Sequence, residues 1–337
     1  MKKPKLIFAV ALICLAVYML FFVDRAPKKE YFMDSGYVFG TTYHITYEAD
    51  SSLTNAIRAS FQRFDASLSM FNPKSVIAAV NRNDSVTLDS LFLNVFHKAT
   101  EVSAATNGAF DMTVAPLVNL WGFGFKEKAQ VTAARVDSLL PLVGYQKMTI
   151  QNNRVVKQNP QMMIDASAIA KGYACDVVAQ ELARHGAKNY IVEIGGEVVA
   201  EGHNAKGKPW RVGINKPVED STSTVSEIEQ VVELTRGGMA TSGNYRNFYV
   251  ENGKKYAHTI NPHTGYPVEH NLLSASVIAD DCMTADAFAT ACMVLGVDKN
   301  FEMLPRFGNV EIFLIYAENG ENKVRFSKGF EKYIETK

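Results

Sequence analysis

Strand-like and helix-like segments mix along this chain without regular strand–helix–strand alternation, and that pattern predicts an α+β fold rather than a doubly wound sheet. Two further observations support it. Alternating β-branched and aromatic runs recur across residues 37–326, several joined by glycine or asparagine turns, as strands and hairpins require. Between them, residues 53–68, 88–106, 169–185 and 284–295 keep helical spacing of their apolar positions. With 337 residues, 47% of them apolar, the chain suffices for one large domain or two lobes around a sizeable core. Lysine and arginine number 35 against 35 acidic residues. The basic excess that marks nucleic-acid binders is missing, so no nucleic-acid partner is expected.

The first element is hydrophobic. Met1-Lys2-Lys3-Pro4-Lys5 is basic, and residues 6–23 are uninterrupted by charge. At about 1.5 Å per residue this run reaches the lower limit for crossing hydrocarbon, and the lysines favour leaving its start in the cytoplasm. Residues 1–23 are therefore expected to be a membrane anchor or a signal segment. The remainder would then stand on the periplasmic side of the cell inner membrane. Cleavage lacks a clean small-x-small site after the run, and lipid attachment at Cys14 would follow a bulky Ile13 that suits such processing poorly. Residues 24–36, with Pro27, Lys28 and Lys29, read as a linker, and residues 37–337 as the folded domain.

Within that domain, residues 37–47 read as one strand. Residues 107–125, rich in glycine and aromatics, read as an ordered loop around a short helix, and 132–142 as a helix. Residues 148–150 and 155–156 form a hairpin around Asn152-Asn153, and 162–165 a strand leading into the helix at 169–185. Residues 189–200 are two strands about a Gly195-Gly196 turn. Strands follow at 210–215, 231–235, 240–242, 247–250, 256–260 and 273–279, with a polar loop at 221–229. Residues 310–316 and 323–326 close the sheet.

Three segments carry chemistry. In 284–291, Asp286 and Thr290 stand four apart and share a helix face, placing two hard oxygen donors of the kind that suits Mg2+ side by side. An aspartate near a helix start equally serves as a cap. In 163–174, a helix begins close to Asp165, so free amides and Lys171 would favour an anion such as phosphate; a capping aspartate and a surface lysine are the plainer reading. In 256–265, Asn261-Pro262 and Thr264-Gly265 mark a tight turn that fixes His258 near a strand end, as a general base or as a structural imidazole.

The turn at 240–246 adds hydroxyls and the Arg246 guanidinium, which contact phosphate or only steady the loop. Gly108-Ala109-Phe110-Asp111 and Trp121-Gly122-Phe123-Gly124 have the character of a ligand-lining loop, with Phe39 and Phe71 as rings for stacking or for the core. No Gly-x-Gly-x-x-Gly fingerprint occurs. Cys14, Cys175, Cys282 and Cys292 form no CxxC pair, which argues against zinc; a Cys282–Cys292 disulfide stays open for an oxidising compartment.

Taken together and in order, these segments resemble the ApbE family, the FAD:protein FMN transferases. The resemblance runs from about Phe39 to Gly296. It rests on Gly40-Thr41-Thr42-Tyr43, Gly108-Ala109-Phe110-Asp111, residues 116–124 and 165–174, Val192-Glu193-Ile194-Gly195-Gly196-Glu197, Trp210-Arg211-Val212-Gly213, Thr241-Ser242-Gly243, and residues 258–265 and 285–290. It implies a two-lobed fold with FAD between the lobes, lined by Phe39, Phe71, Ala109, Phe110, Asp111, Asp165, Lys171 and Ile260. It implies Mg2+ held by the Ala168 carbonyl, the Asp286 carboxylate and the Thr290 hydroxyl.

The implied activity moves FMN from FAD to a threonine or serine hydroxyl of a target protein, releasing AMP, with His258 taking the hydroxyl proton or orienting the nucleophile. The implied targets are extracytoplasmic flavin-bearing subunits of sodium-pumping NADH:quinone reductases (Nqr) and Rnf-type electron-transfer complexes. Phe39 stands where the family often has methionine, Phe71 where it often has tyrosine, and Asn244 where an aspartate is common after Ser-Gly. An FAD pyrophosphatase giving free FMN and AMP, and a non-enzymatic FAD-binding protein, are the alternatives that the same motifs leave open.

Overall fold

The structure, a computed structural model, describes residues 29–124, 130–218, 227–244, 248–251 and 254–335. The expected membrane segment at 1–23, linker residues 24–28, most of the polar loop at 221–229, Tyr245 and Arg246 lie outside the described residues. No described helix is long and apolar enough to cross a membrane.

In chain order the described residues form β1 (Glu30–Val38), β2 (Thr41–Ala49), α1 (Thr54–Leu68), α2 (Val76–Arg82), α3 (Ser90–Ala105), α4 (Ala115–Leu120), α5 (Ala133–Leu139), β3 (Met148–Gln151) and β4 (Arg154–Lys157). Then come α6 (Ala170–Arg184), β5 (Tyr190–Ile194), β6 (Glu197–Glu201), β7 (Trp210–Asn215), β8 (Ile228–Leu234), β9 (Arg236–Gly243), β10 (Phe248–Glu251) and β11 (Lys254–Ala257). The last are β12 (Leu272–Ala279), α7 (Cys282–Leu295), α8 (Val297–Met303), β13 (Glu311–Glu318) and β14 (Glu321–Phe326). Among these residues the main sheet has eight strands in the order β1-β2-β5-β6-β9-β12-β13-β14, each pair antiparallel, so the fold is α+β.

Sequence pattern explains the layers. In β2, Tyr43, Ile45, Tyr47 and Ala49 alternate inward against polar neighbours. β12 is buried along almost its whole length because both sheet faces are covered there. One face carries α1, α3, α6 and α7. α1 turns Ile57, Phe61, Phe64 and Leu68 toward the core on one stripe, and α3 starts where the Asp89 carboxylate accepts the Phe92 amide at 2.8 Å. The opposite face is closed by β7, β8 and the turn Lys328–Tyr333, which pack Trp210, Phe313 and Phe330 together. A smaller lobe gathers Leu117, Trp121, Val136 and Ile260 around α4 and α5.

The helix α7 is built of small residues and is buried on nearly every side. A Cβ on Gly172 would lie 2.2 Å from the Cys282 carbonyl oxygen and 2.7 Å from Asp286 Cβ. Helices α6 and α7 therefore cross in a contact that only glycine permits.

Several expectations change. Residues 37–47 are not one strand but the end of β1, a turn and most of β2; Phe39 and Gly40 take φ of 51° and 78°. A Phe-Gly pair does not announce such a turn the way Asn-Gly does. Residues 30–36, expected in the linker, form most of β1. Residues 162–165 pair with no described strand; the Asn81 side chain accepts the Ile164 amide at 2.7 Å and donates to its carbonyl at 2.9 Å, replacing a neighbour. Cys282 and Cys292 both lie on α7, about 15 Å apart along its axis, which excludes a disulfide between them. Together with Cys175 they are free and buried.

Candidate active site

Between the main core and the smaller lobe lies a cavity of about 410 Å³. Ala109, Phe110, Asp111, Asp165, Ala168, Lys171, His258, Ile260, Asp286 and Thr290 all line it. These residues come from distant parts of the chain, and the sheet and its helices bring them together.

The approach to α6 forms one wall. The Asp165 amide donates to the Met112 carbonyl at 2.7 Å, and its Oδ1 accepts the Ser167 amide and hydroxyl at 2.8 and 2.5 Å. This turns the chain into α6 with Lys171 in its first turn. The Lys171 ammonium lies 2.5 Å from Glu197 Oε2. Burial works against that charge, but the Glu197 and Asp286 carboxylates outweigh it and hold the lysine well above its usual pKa. Burial raises the Glu197 carboxyl to about 7 against the pull of Lys171.

Helix α7 supplies the oxygen donors. Asp286 is 4% exposed, and its Oδ2 accepts the Gly172 amide at 2.9 Å. Burial raises its carboxyl, while Lys171 and that amide draw it down. Because the Gly172 amide is engaged there, no described backbone amide takes the Ala168 carbonyl. Thr290 stands one turn further along α7, its hydroxyl 3.4 Å from that of Ser242. A carboxylate, a hydroxyl and an uncommitted carbonyl on one cavity are hard donors of the kind that fit Mg2+.

The facing walls are held from behind. Asp111 Oδ1 accepts the Thr113 amide and hydroxyl at 2.8 and 2.6 Å, and Oδ2 accepts the Tyr145 amide at 2.7 Å. Its carboxylate thus shapes the loop that carries Ala109 and Phe110. Trp121 Nε1 donates to the Gly265 carbonyl at 2.9 Å, locking the turn after His258. Trp121, Tyr256, Tyr249 and Phe123 stack in succession with ring centres 5.2–5.4 Å apart, and the Phe123 ring meets the His258 imidazole edge-on at 6.3 Å. Asn244 Oδ1 accepts the Thr259 hydroxyl at 2.8 Å, so an amide serves where a carboxylate was the alternative.

Two expected flavin contacts stand outside the cavity. The Phe39 ring packs on Phe61 and Phe64 at 5.8 and 5.2 Å. Phe71 is 82% exposed and lines a separate groove with Met70 and Met163. Each has a neighbour that lies near a cavity residue. A Cβ on Gly195 would meet both Thr41, two residues after Phe39, at 2.8 Å and Lys171 at 3.4 Å, and Met163 is two residues before Asp165.

A family model described as the ApbE family matches residues 39–314. The chain belongs to the ApbE family. Relatives of this ApbE chain include a Haemophilus influenzae protein named FAD:protein FMN transferase, 38% identical over 320 residues that cover 90% of this chain and 91% of that one. A Vibrio cholerae protein of the same name is 33% identical over 334 residues, covering 96% and 98%. Among solved structures, flavin transferase ApbE from Vibrio cholerae superposes with a TM-score of 0.80 at 33% identity, covering 91% of this chain and all of that one. The apo flavinyl transferase ApbE of Pseudomonas stutzeri gives 0.78 at 32% identity, covering 91% and 96%.

Sequence reasoning gave Glu197 of this ApbE chain no role, yet it is 3% exposed and faces the cavity beside Lys171. The available signal was a carboxylate opening the otherwise apolar strand segment Glu197-Val198-Val199-Ala200. Phe123 reaches the cavity as expected of its loop, whereas Trp121 holds the turn from behind.

Proposed function

We propose that this chain is an FAD:protein FMN transferase that moves FMN from FAD to a threonine or serine hydroxyl of a target protein. One cavity unites oxygen donors, a lysine paired with Glu197 and an imidazole, and that arrangement carries the reading. FAD, a diphosphate flanked by two ring systems, is the substrate that such a set of groups suits. Phe110 and Ile260 offer apolar contact, and Asp165 keeps its second oxygen for a hydroxyl or amide donor.

Asp286, Thr290 and the Ala168 carbonyl would hold Mg2+, which when bound neutralises phosphate charge and acts as a Lewis acid. Lys171, kept charged by Glu197, meets the diphosphate. The acceptor hydroxyl oxygen bonds to the FMN-side phosphorus, and the bond from that phosphorus to the bridging oxygen breaks. AMP leaves with the electron pair, and His258 takes the hydroxyl proton. The Phe123 ring, backed by Tyr249, Tyr256 and Trp121, packs edge-on against the imidazole and steadies it.

The chain would act at the extracytoplasmic face of the membrane, tethered by residues 1–23, on flavin-carrying subunits of Nqr or Rnf type. The basic flank and uncharged run of that segment support this placement. The test incubates the protein with FAD, Mg2+ and an acceptor domain, then follows AMP by chromatography and flavin by in-gel fluorescence. AMP released in step with protein-bound fluorescence is expected. AMP with free FMN would make the chain an FAD pyrophosphatase, and retained FAD without AMP a flavin-binding protein.

A further inference from the structure

Helices α6 and α7 cap each other. The Gly172 amide, in the first turn of α6, donates to Asp286 Oδ2 on α7 at 2.9 Å. In return the Cys282 and Met283 amides, in the first turn of α7, donate to Asp176 Oδ1 and Oδ2 on α6 at 3.0 and 2.8 Å. The first amides of a helix have no partner within it, so a carboxylate placed there satisfies them and meets the positive end of the dipole. Asp176 is 7% exposed, and both of its oxygens are used in this way.

α7 already has its own cap, because the Asp281 side chain accepts the Thr284 amide at 2.7 Å. Asp176 is therefore not needed to start the helix. What it adds is a tie between the start of α7 and the middle of α6. Asp286 lies one turn beyond that tie. A slide of α7 along α6 would draw Asp286 away from Gly172 and free the Gly172 amide to take the Ala168 carbonyl in an ordinary helical bond. Two expected metal donors would be lost by one movement.

We infer that Asp176 is a positioning residue for metal binding: it fixes the register of α7 on α6 in which the Asp286 carboxylate and the Ala168 carbonyl are both open to a divalent cation. This rests on the reading of Asp286, Thr290 and Ala168 as a Mg2+ site. Partners that orient metal ligands from behind typically change metal affinity about 10–100-fold when mutated.

The test is calorimetric titration of the ligand-free protein with Mg2+, repeated on Asp176→Asn and Asp176→Ser. Asp89→Asn, at the remote cap of α3, serves as a control for lost stability alone. Each variant is first shown to be folded by near-ultraviolet circular dichroism, and the serine variant stands in if the asparagine variant does not fold. The expected result is a Kd for Mg2+ raised about 10–100-fold in the Asp176 variants and unchanged in Asp89→Asn. Folded Asp176 variants that bind Mg2+ as wild type does, while only their Tm falls, would overturn the inference and leave the metal site standing. Wild-type protein that takes up no Mg2+ would overturn the metal reading and this inference with it.

Discussion

At the scale of single residues, the site depends on where charge is held. In the proposed reaction His258 takes the acceptor proton, and general-base catalysis contributes about 10²–10⁴-fold. His258→Gln is expected to lower FMN transfer by that range while FAD still quenches protein fluorescence as in wild type; undiminished transfer would remove the role. A second residue tests the electrostatics away from the site. Lys157 donates to the Val80 carbonyl and Asn83 Oδ1 at 2.7 and 2.8 Å, and burial lowers its pKa to about 8. Above that value the folded chain sheds the proton while the unfolded chain keeps it up to about 10.4. Stability should therefore rise with pH across this window relative to Lys157→Met, and urea unfolding of both at several pH values would show it. Most cavity residues were legible because each sat in a motif whose order along the chain was distinctive. Glu197 was not, because its importance lies in facing Lys171 across β6 and α6, a contact no local pattern encodes.

At the scale of elements, the crossing of α6 and α7 sets the donor geometry. Gly172→Ala would drive a methyl into the Cys282 carbonyl, and overpacking of this kind costs about 1–3 kcal/mol. The expected outcome is a lower urea midpoint together with weakened Mg2+ binding. A normal Mg2+ affinity would mean that the helices part without moving Asp286. Long helices such as α1, α3 and α6 were readable from spacing, because their apolar stripes repeat over several turns, and α7 from its run of small and apolar residues. α2 and α8, of 7 residues each, are too short to repeat a stripe, and both escaped. The hairpin of β1 and β2 escaped for another reason. Its turn puts the bulky Phe39 at positive φ, where propensity expects glycine or asparagine.

At the scale of the whole molecule, the sheet is a platform with chemistry on one side and a structural cover on the other. Phe330 is fully buried in the cover, packed on Phe313, Phe326 and Tyr333. Phe330→Ala should destabilise the fold by about 3–5 kcal/mol, read by calorimetry, with Mg2+ and FAD affinities unchanged in the folded protein. A coupled loss of affinity would show that the two faces are not independent. The α+β class was visible in the mixture of strand and helix patterns. The strand order was not, because β9 enters between β6 and β12, pairings between segments far apart in the chain that periodicity cannot reveal.

Transfer of FMN onto protein is read most simply from the intact mass of an acceptor domain after incubation with this chain, FAD and Mg2+. The expected result is a gain of one FMN less one water, located on a threonine or serine and abolished by Asp286→Ala. An acceptor of unchanged mass beside free FMN and AMP, or full labelling by Asp286→Ala, would contradict it.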